Sequence, residues 1–310
     1  MTLPPIFLLL RRSLAMQRLG YGLFACFALL VSLYWTFPAD ALAQRLAREV
    51  QRSSLGTWSL TFVEASTYGL TGLRLEQVVL TRSQSGTESA QLHINRAQVR
   101  LRLLPLLLAQ LSADFSAYLG DGLLTVRLTP LGSVGLDLNV QLTAIDLAAP
   151  PLLATLLGLP IGGLVDGHME LHWPSDLKLA SGELALTGRT ISAGPETVQG
   201  FSVPLLNLGD LNLNLSLKDG RAQVANFSQQ GGNISLQMSA SSQLRLPLPL
   251  SPMDACLQFR VDQGFLNSNP KMRSVMQLAE LQLRRDPAGF LHVPLGGFIG
   301  TPQFRPGLCR

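Results

Sequence analysis

The spacing of apolar residues constrains the fold of this chain more than any other feature of its sequence. From about residue 55 onward, apolar and polar residues alternate, as in 211–217, where every second residue is leucine. Successive side chains of a β-strand point to opposite faces, so each such stretch predicts a strand with one apolar and one polar face. A slip of one residue would place the leucines in water, so the alternation also constrains the register. Further stretches of this kind are 97–101, 124–128, 136–142 and 234–240.

Short turn motifs indicate that neighbouring strands run antiparallel. The dipeptide Asp219-Gly220 predicts a hairpin turn, with 222–227 as the returning strand. Residues 73–80 contain two apolar pairs whose phases differ, which predicts one strand with a change of phase. The stretch 244–250 also alternates but contains two prolines, which cannot donate to a strand ladder. It is therefore predicted at a sheet edge or a strand end.

Three short segments interrupt the alternation and predict helices. Asn269 can cap a helix and Pro270 suits its first position, so a helix is predicted over about 269–283, with an apolar stripe that packs in the core. The other two segments are 103–111 and 151–157.

Residues 19–37 form an uncharged apolar run. A helix rises about 1.5 Å per residue, so the run is long enough to cross a hydrocarbon core of about 30 Å, and it predicts a transmembrane anchor. Three arginines precede it, which places residues 1–18 in the cytoplasm as a tail and the rest of the chain on the other side of the membrane. An alternative is a signal peptide cleaved after Ala41-Leu42-Ala43, although the run is longer than a typical signal core.

After the anchor, the sequence predicts an amphipathic helix over 38–54 and two exported β segments, 55–162 and 163–310, the second containing helix 269–283. Gly162-Gly163 marks the break between the segments. Two separate domains and one continuous twisted sheet are both compatible with it, and the continuous sheet is favoured. The predicted fold class is mainly β: an N-terminal transmembrane helix and an exported antiparallel, twisted β-sheet, groove-like or sandwich-like, with a few short helices.

Composition excludes some classes of function. Only 14% of the 310 residues are charged, the net charge of +4 is scattered, and aromatic residues make up 6%. No basic stripe with interleaved aromatic residues is found, so no nucleic-acid partner is expected.

Cys256 and Cys309 would face an oxidising compartment and could pair. A buried thiol plus an unpaired C-terminal one is the alternative, and the sequence does not decide between them.

A search for reactive groups predicts no enzyme. His168 and His172 have the spacing of metal ligands on a helix, but nearby glycines and a proline favour a strand, on which the rings would lie roughly 13 Å apart. Four aspartates adjoin glycines, which is typical of turns. No catalytic residue, no cofactor site and no metal site is predicted. The aspartates are Asp121, Asp166, Asp210 and Asp219.

The order of several motifs resembles that of the type II secretion system protein N (GspN) family, in its form related to AsmA-like membrane-anchored proteins. The apolar run is followed by Phe37-Pro38 and a short helix, and Tyr68–Leu75 resembles a glycine-led entry into an early strand. No single motif is specific, and the prolines of 244–250 depart from the family's simple strand. The C-terminal motifs are 231–236 (GGNISL), 250–253 (LSPM), Asn269-Pro270, 292–297 (HVPLGG) and 301–304 (TPQF).

The resemblance implies a single-pass protein of the bacterial inner membrane with its C-terminal domain in the periplasm. Its expected role is that of a structural or accessory component of a type II secretion system, with other subunits of that machine and the inner membrane as partners. The alternative implied by the AsmA-like relatives is a β-groove that handles or transports lipid between membranes.

Overall fold

The computed structural model describes ten parts of the chain and six residues of the predicted anchor. The six residues, Tyr21, Gly22, Phe24, Ala25, Ala28 and Ser32, are helical, and the rest of 19–37 lies outside the described residues. Among the helices that are described, none is both long and apolar enough to span a membrane. The ten parts are 39–54, 57–69, 71–82, 90–102, 111–132, 135–148, 160–198, 201–305, 307 and 309.

Strands make up most of the described chain. The helices are α1 (Ala39–Ser53), α2 (Gln263–Ser268) and α3 (Pro270–Gln282), with 3-10 turns at Leu177–Leu179 and Leu248–Leu250. The strands are β1 (Trp58–Thr61), β2 (Glu64–Tyr68), β3 (Gly72–Arg82), β4 (Ala90–Leu101), β5 (Ala113–Leu119), β6 (Gly122–Leu131), β7 (Gly135–Asp146), β8 (Ile161–Trp173), β9 (Ser181–Ala193), β10 (Glu196–Val198), β11 (Phe201–Val203), β12 (Leu206–Lys218), β13 (Arg221–Gln230), β14 (Ile234–Gln243), β15 (Pro252–Val261), β16 (Arg284–Arg285), β17 (Leu291–Phe298) and β18 (Thr301–Phe304).

Sixteen of these strands form one antiparallel sheet that follows the chain as a meander. The order is β1-β3-β4-β5-β6-β7-β8-β9-β12-β13-β14-β15-β17-β16, with β2 also paired to β3 and β18 to β17. The small hairpin β10-β11 is the excursion between β9 and β12. The prediction of a mainly β, antiparallel fold is confirmed. Strand pairing continues across the predicted break at 162/163, because both glycines lie within β8.

Local predictions from the strand pattern have mixed outcomes. The change of phase in 73–80 corresponds to Gln77, whose φ of 51° turns β3 so that Leu75 and Val78 both face the core. The Asp219-Gly220 hairpin is confirmed, with both residues at positive φ. The stretch 244–250, predicted at a sheet edge or a strand end, directly follows the end of β14 at Gln243, and its own residues are not in a strand. Pro247 precedes the 3-10 turn and Pro249 lies within it, and neither has an N–H to donate to a ladder.

The helix predicted over 269–283 is α3, with proline at its first turn. The predicted helices 103–111 and 151–157 fall outside the described residues, apart from Leu111, which is not helical. Helix α1 lies within the predicted 38–54, and its Ala43 is completely buried. Cleavage after Ala43 would therefore remove the first part of a packed helix.

Two hydrophobic clusters close the apolar face of the sheet near its two ends. In the first, α1 packs on β1, β2 and β3, and its Ala43 and Ala39 belong to a cluster that extends to β5. In the second, α2 and α3 pack through Leu266 and Met276 on β12, β14, β15 and β17, around Leu291, which is 1% exposed. Neither cluster includes a side chain of β6 to β9. Among the residues that the structure describes, the layer that covers the apolar face is thus built at both ends of the sheet and not in its middle.

Candidate functional site

The apolar face of the sheet continues in register across eight strands, from β4 to β13. Directly paired residues of neighbouring strands share a face, so the pairing defines rows of side chains that run across the sheet. The middle one, here called the central row, spans about 34 Å at the usual strand spacing of about 4.8 Å. It consists of Val99, Phe115, Val126, Val140, Met169, Leu184, Leu215 and Val224.

Two further rows flank the central row on the same face. One contains Leu101, Ala113, Leu128, Leu138, Leu171, Gly182, Leu217 and Ala222. The other contains Ala97, Ala117, Leu124, Leu142, Gly167, Leu186, Leu213 and Phe227. The three rows together form a continuous apolar surface, which we call the apolar groove.

The middle of the apolar groove is partly exposed to solvent. Between Ala117 and Ala180, no described aliphatic or aromatic side chain is buried, whereas Leu73, Leu75 and Val78 in the first cluster are at most 5% exposed. The alternating residues of β6, β7 and β8 are intermediate in exposure instead. Contiguous, partly exposed apolar surface of this kind is typical of ligand and interaction sites.

The opposite face carries a polar ladder that joins the same strands. Arg127 Nε donates to Asp114 Oδ1 at 2.9 Å, Asn139 Nδ2 donates to Glu170 Oε1 at 3.1 Å, and Thr187 Oγ1 donates to Asn212 at 3.1 Å. These contacts are exposed, so each adds little stability by itself. They constrain the strand register instead, because a one-residue slip would separate each pair.

Both histidines of the HMELH stretch lie on this polar ladder and not in a shared site. His172 Nδ1 lies 2.6 Å from Asp137 Oδ1, and His168 Nε2 lies 3.5 Å from Glu183 Oε1. The strand predicted for this stretch is confirmed as β8. Because the two rings face acids of different neighbouring strands, they do not converge on one ligand.

Two aspartates stabilise irregular positions in the sheet. The Oδ1 of Asp166 accepts from the N–H of Ala144 at 2.8 Å, and the Oδ1 of Asp210 accepts from the N–H of Thr190 at 2.8 Å. Ala144 and Thr190 both have a φ of 50°, at positions where the strand register shifts. The turn predicted for these two aspartates is therefore wrong, since they lie in β8 and β12.

The pKa of Asp166 is lowered, chiefly by the N–H of Ala144 and further by the guanidinium of Arg189, whose Nη2 lies 2.6 Å from Oδ2. The carboxylate form is the one that these donors stabilise.

The C-terminal segment is joined to the polar face by a disulfide. Of the two alternatives that the sequence left open, the structure has the pairing of Cys256 with Cys309, whose Cα atoms are 5.8 Å apart. His292, 6% exposed, lies beside it: its Nδ1 accepts from the N–H of Cys309 at 3.2 Å, and its Nε2 is 3.4 Å from Asp286. The N–H of Phe290, more than His292, lowers the pKa of Asp286.

Ligand atoms of Cys256, His292 and Cys309 all lie within 4.8 Å of one another. With both sulfurs in the disulfide, neither thiolate that a metal would require is present. Sequence reasoning missed His292, and its position at the start of an apolar strand gave no sign of this neighbourhood.

Comparison of the chain with protein-family models, with curated proteins and with solved structures found no match.

Proposed function

We propose that the protein binds lipid acyl chains along the apolar groove. The observation that carries this proposal is the continuity of three apolar rows from β4 to β13. Strands β6 to β8 are intermediate in exposure, and the closed clusters formed by the described residues lie at the ends of the sheet. Polar headgroups would remain at the margin of the sheet, in water. The proposal corresponds to the lipid-handling role that the AsmA-like resemblance implies, at a bacterial inner membrane and facing the periplasm.

The size of the groove suits this ligand. Burial of one methylene group contributes about 0.8 kcal/mol, so about ten methylenes laid on the central row would gain roughly 8 kcal/mol before the cost of association. Apolar ligands need no polar partner there, and the described part of the groove offers none, because its side chains are Val, Leu, Met, Phe and Ala.

Photo-crosslinking at adjacent positions of one strand tests the proposal. Val140 lies in the central row, and Gln141 next to it points to the polar face, where its partner is His168. Benzoyl-phenylalanine would replace Val140 or Gln141 in the full chain, which would then be irradiated in the cells that produce it. Intact-mass spectrometry would report adducts.

Adducts with the mass of a phospholipid or fatty acid at position 140 and not at 141 are the expected result. Equal lipid labelling at both positions would show only general exposure to membrane and would overturn the proposal. Crosslinks at 140 exclusively to protein would also overturn it, since the groove would then be covered by polypeptide.

A second candidate is the accessory role in type II secretion, and the free edge of the sheet favours it. Strand β18 pairs with β17 on one side, and its four residues are all exposed, including Phe304 at 45%. An edge strand of this kind can accept a strand from a partner. In an antiparallel pair alternate residues donate to the neighbouring strand, and Arg305 N–H donates to Pro294 of β17, so Gln303 also faces β17 and the N–H of Phe304 faces the free edge. Phe304→Pro would remove that N–H from the free edge of β18. Loss of co-purifying secretion subunits in this variant would support the role, and unchanged co-purification would count against edge pairing.

A further inference from the structure

Four chain connections lie side by side at one end of the sheet. They are the segments β8–β9, β12–β13, β14–β15 and β17–β18, and backbone hydrogen bonds join them. Gly220 N–H donates to Ala180 O at 3.1 Å, and Leu244 N–H donates to Gly220 O at 2.8 Å. Gly300 N–H donates to Pro249 O at 2.9 Å. The turns therefore form one continuous rim and do not project separately.

Large apolar side chains protrude from this rim into solvent. They lie in or next to the two 3-10 turns and the β17–β18 turn, and none is less than 42% exposed. A run of exposed leucines interleaved with prolines, at 246–250, is the most prominent part. We call the set the apolar rim: Leu179 (64% exposed), Leu246 (66%), Leu248 (42%), Leu250 (55%), Phe298 (46%) and Ile299 (44%).

The charge around the apolar rim is mainly positive. Two acids lie in the same turns: the carboxylate of Asp176 accepts from the N–H of Lys178, and Asp219 forms the β12–β13 turn. Four exposed cations have no ion-pair partner among the described residues: Lys178, Lys218, Arg221 and Arg245.

We infer that the apolar rim inserts into the surface of a lipid bilayer that contains anionic lipids. Protruding leucines with an aromatic residue, next to unpaired Lys and Arg, is the composition of a membrane-interface segment. The apolar groups enter the headgroup boundary, and the cations meet anionic headgroups, at about 1 kcal/mol each near such a surface. A protein partner would need a complementary concave surface, whereas a bilayer requires only a protruding edge.

This contact goes beyond acyl-chain binding in the groove and does not depend on it. The row that contains Leu138, Leu171 and Leu217 lies at the end of the sheet nearest the rim, because β7 begins and β8 and β12 end there. A rim seated on a bilayer would bring this end of the apolar groove next to the membrane.

Quenching of tryptophan by brominated lipids tests the inference. The full chain would be reconstituted into phosphatidylcholine–phosphatidylglycerol vesicles with or without brominated acyl chains, so that any anchoring is common to all variants. Leu248→Trp places a reporter in the rim, with Leu246→Trp as a second. Leu281→Trp is the matched control, since Leu281 is 82% exposed on α3, at the opposite end of β15. Emission of the three native tryptophans would be subtracted.

A blue-shifted emission that brominated lipid quenches for Leu248→Trp, and not for Leu281→Trp, is the expected result. Lys178→Gln and Arg245→Gln, added singly to Leu248→Trp, should each weaken the contact roughly fivefold in the anionic vesicles. Quenching at position 248 that does not exceed that at 281 would overturn the inference. Val140→Glu alters the apolar groove and should leave quenching at the rim unchanged. Failure of lipid binding in the groove can therefore be distinguished from failure of rim insertion.

Discussion

Replacement of leucine by alanine should cost far more stability at Leu291 than at Leu171. Leu291 is 1% exposed and enclosed by the second cluster, so its truncation leaves a cavity and should lower the free energy of unfolding by about 2–5 kcal/mol. Leu171 lies on the open part of the apolar groove and is partly exposed. Its truncation removes three carbon groups, each of which contributes about 0.8 kcal/mol when fully buried. Because Leu171 is only partly buried and no closed cavity forms, the expected loss of stability is roughly 1 kcal/mol.

Urea denaturation of the full chain, followed by circular dichroism, measures both values. A difference of about 2 kcal/mol at unchanged m-value is expected. Leu281→Ala, at an 82% exposed position, is the control and should stay within about 0.5 kcal/mol of the parent. If Leu171→Ala destabilises the protein as much as Leu291→Ala, the face over β8 is enclosed, and the argument for an open groove fails.

Three further predictions concern the sheet and its C-terminal segment. The pKa of Asp166 in the folded protein lies below its ordinary value of 3.8, so this carboxylate should stabilise the fold above pH 3.8. The contribution should vanish as the pH falls through the lowered pKa. Asp166→Asn should therefore flatten the acidic part of a plot of urea midpoint against pH. Cys309→Ser opens a 53-residue loop and should cost about 4 kcal/mol, measured by denaturation without reductant. Gly209→Ala should lower the melting temperature more than Gly69→Ala: both have positive φ, but only at Gly209 would a Cβ overlap a neighbouring carbonyl.

The alternation of apolar residues was sufficient to predict β4, β6, β7, β12 and β14, because it reflects a local property, the direction of successive side chains. The same holds for the phase change at Gln77, which is visible as two apolar pairs out of step. The bulges at Ala144 and Thr190 could not be predicted in this way. Their N–H groups are satisfied by aspartates about twenty residues away on neighbouring strands, and sequence proximity to glycine suggested turns instead.

The openness of the groove could not be predicted either. Leu75, in the closed first cluster, and Leu138, on the open face, both belong to alternating stretches of the same kind. Within the described parts of the chain, the difference is whether a helix packs above the leucine, and that depends on where α1, α2 and α3 return to the sheet. The apolar rim could not be predicted for a related reason. Its turns lie up to about 120 residues apart in the sequence and become neighbours only through the pairing of the strands.

The distribution of burial has an energetic consequence for ligand binding. At the ends of the sheet, helices supply the second apolar layer that a sheet needs for stability. As far as the described residues show, β6 to β8 are held by strand pairing and by exposed polar contacts that contribute little. The middle strands should therefore be the least protected part of the sheet against hydrogen exchange. A ligand that covers the central row binds only the paired state, so it stabilises that state by mass action. An acyl chain in the apolar groove would thus complete, over β6 to β8, the layer that α1 completes at one end and α2 and α3 complete at the other.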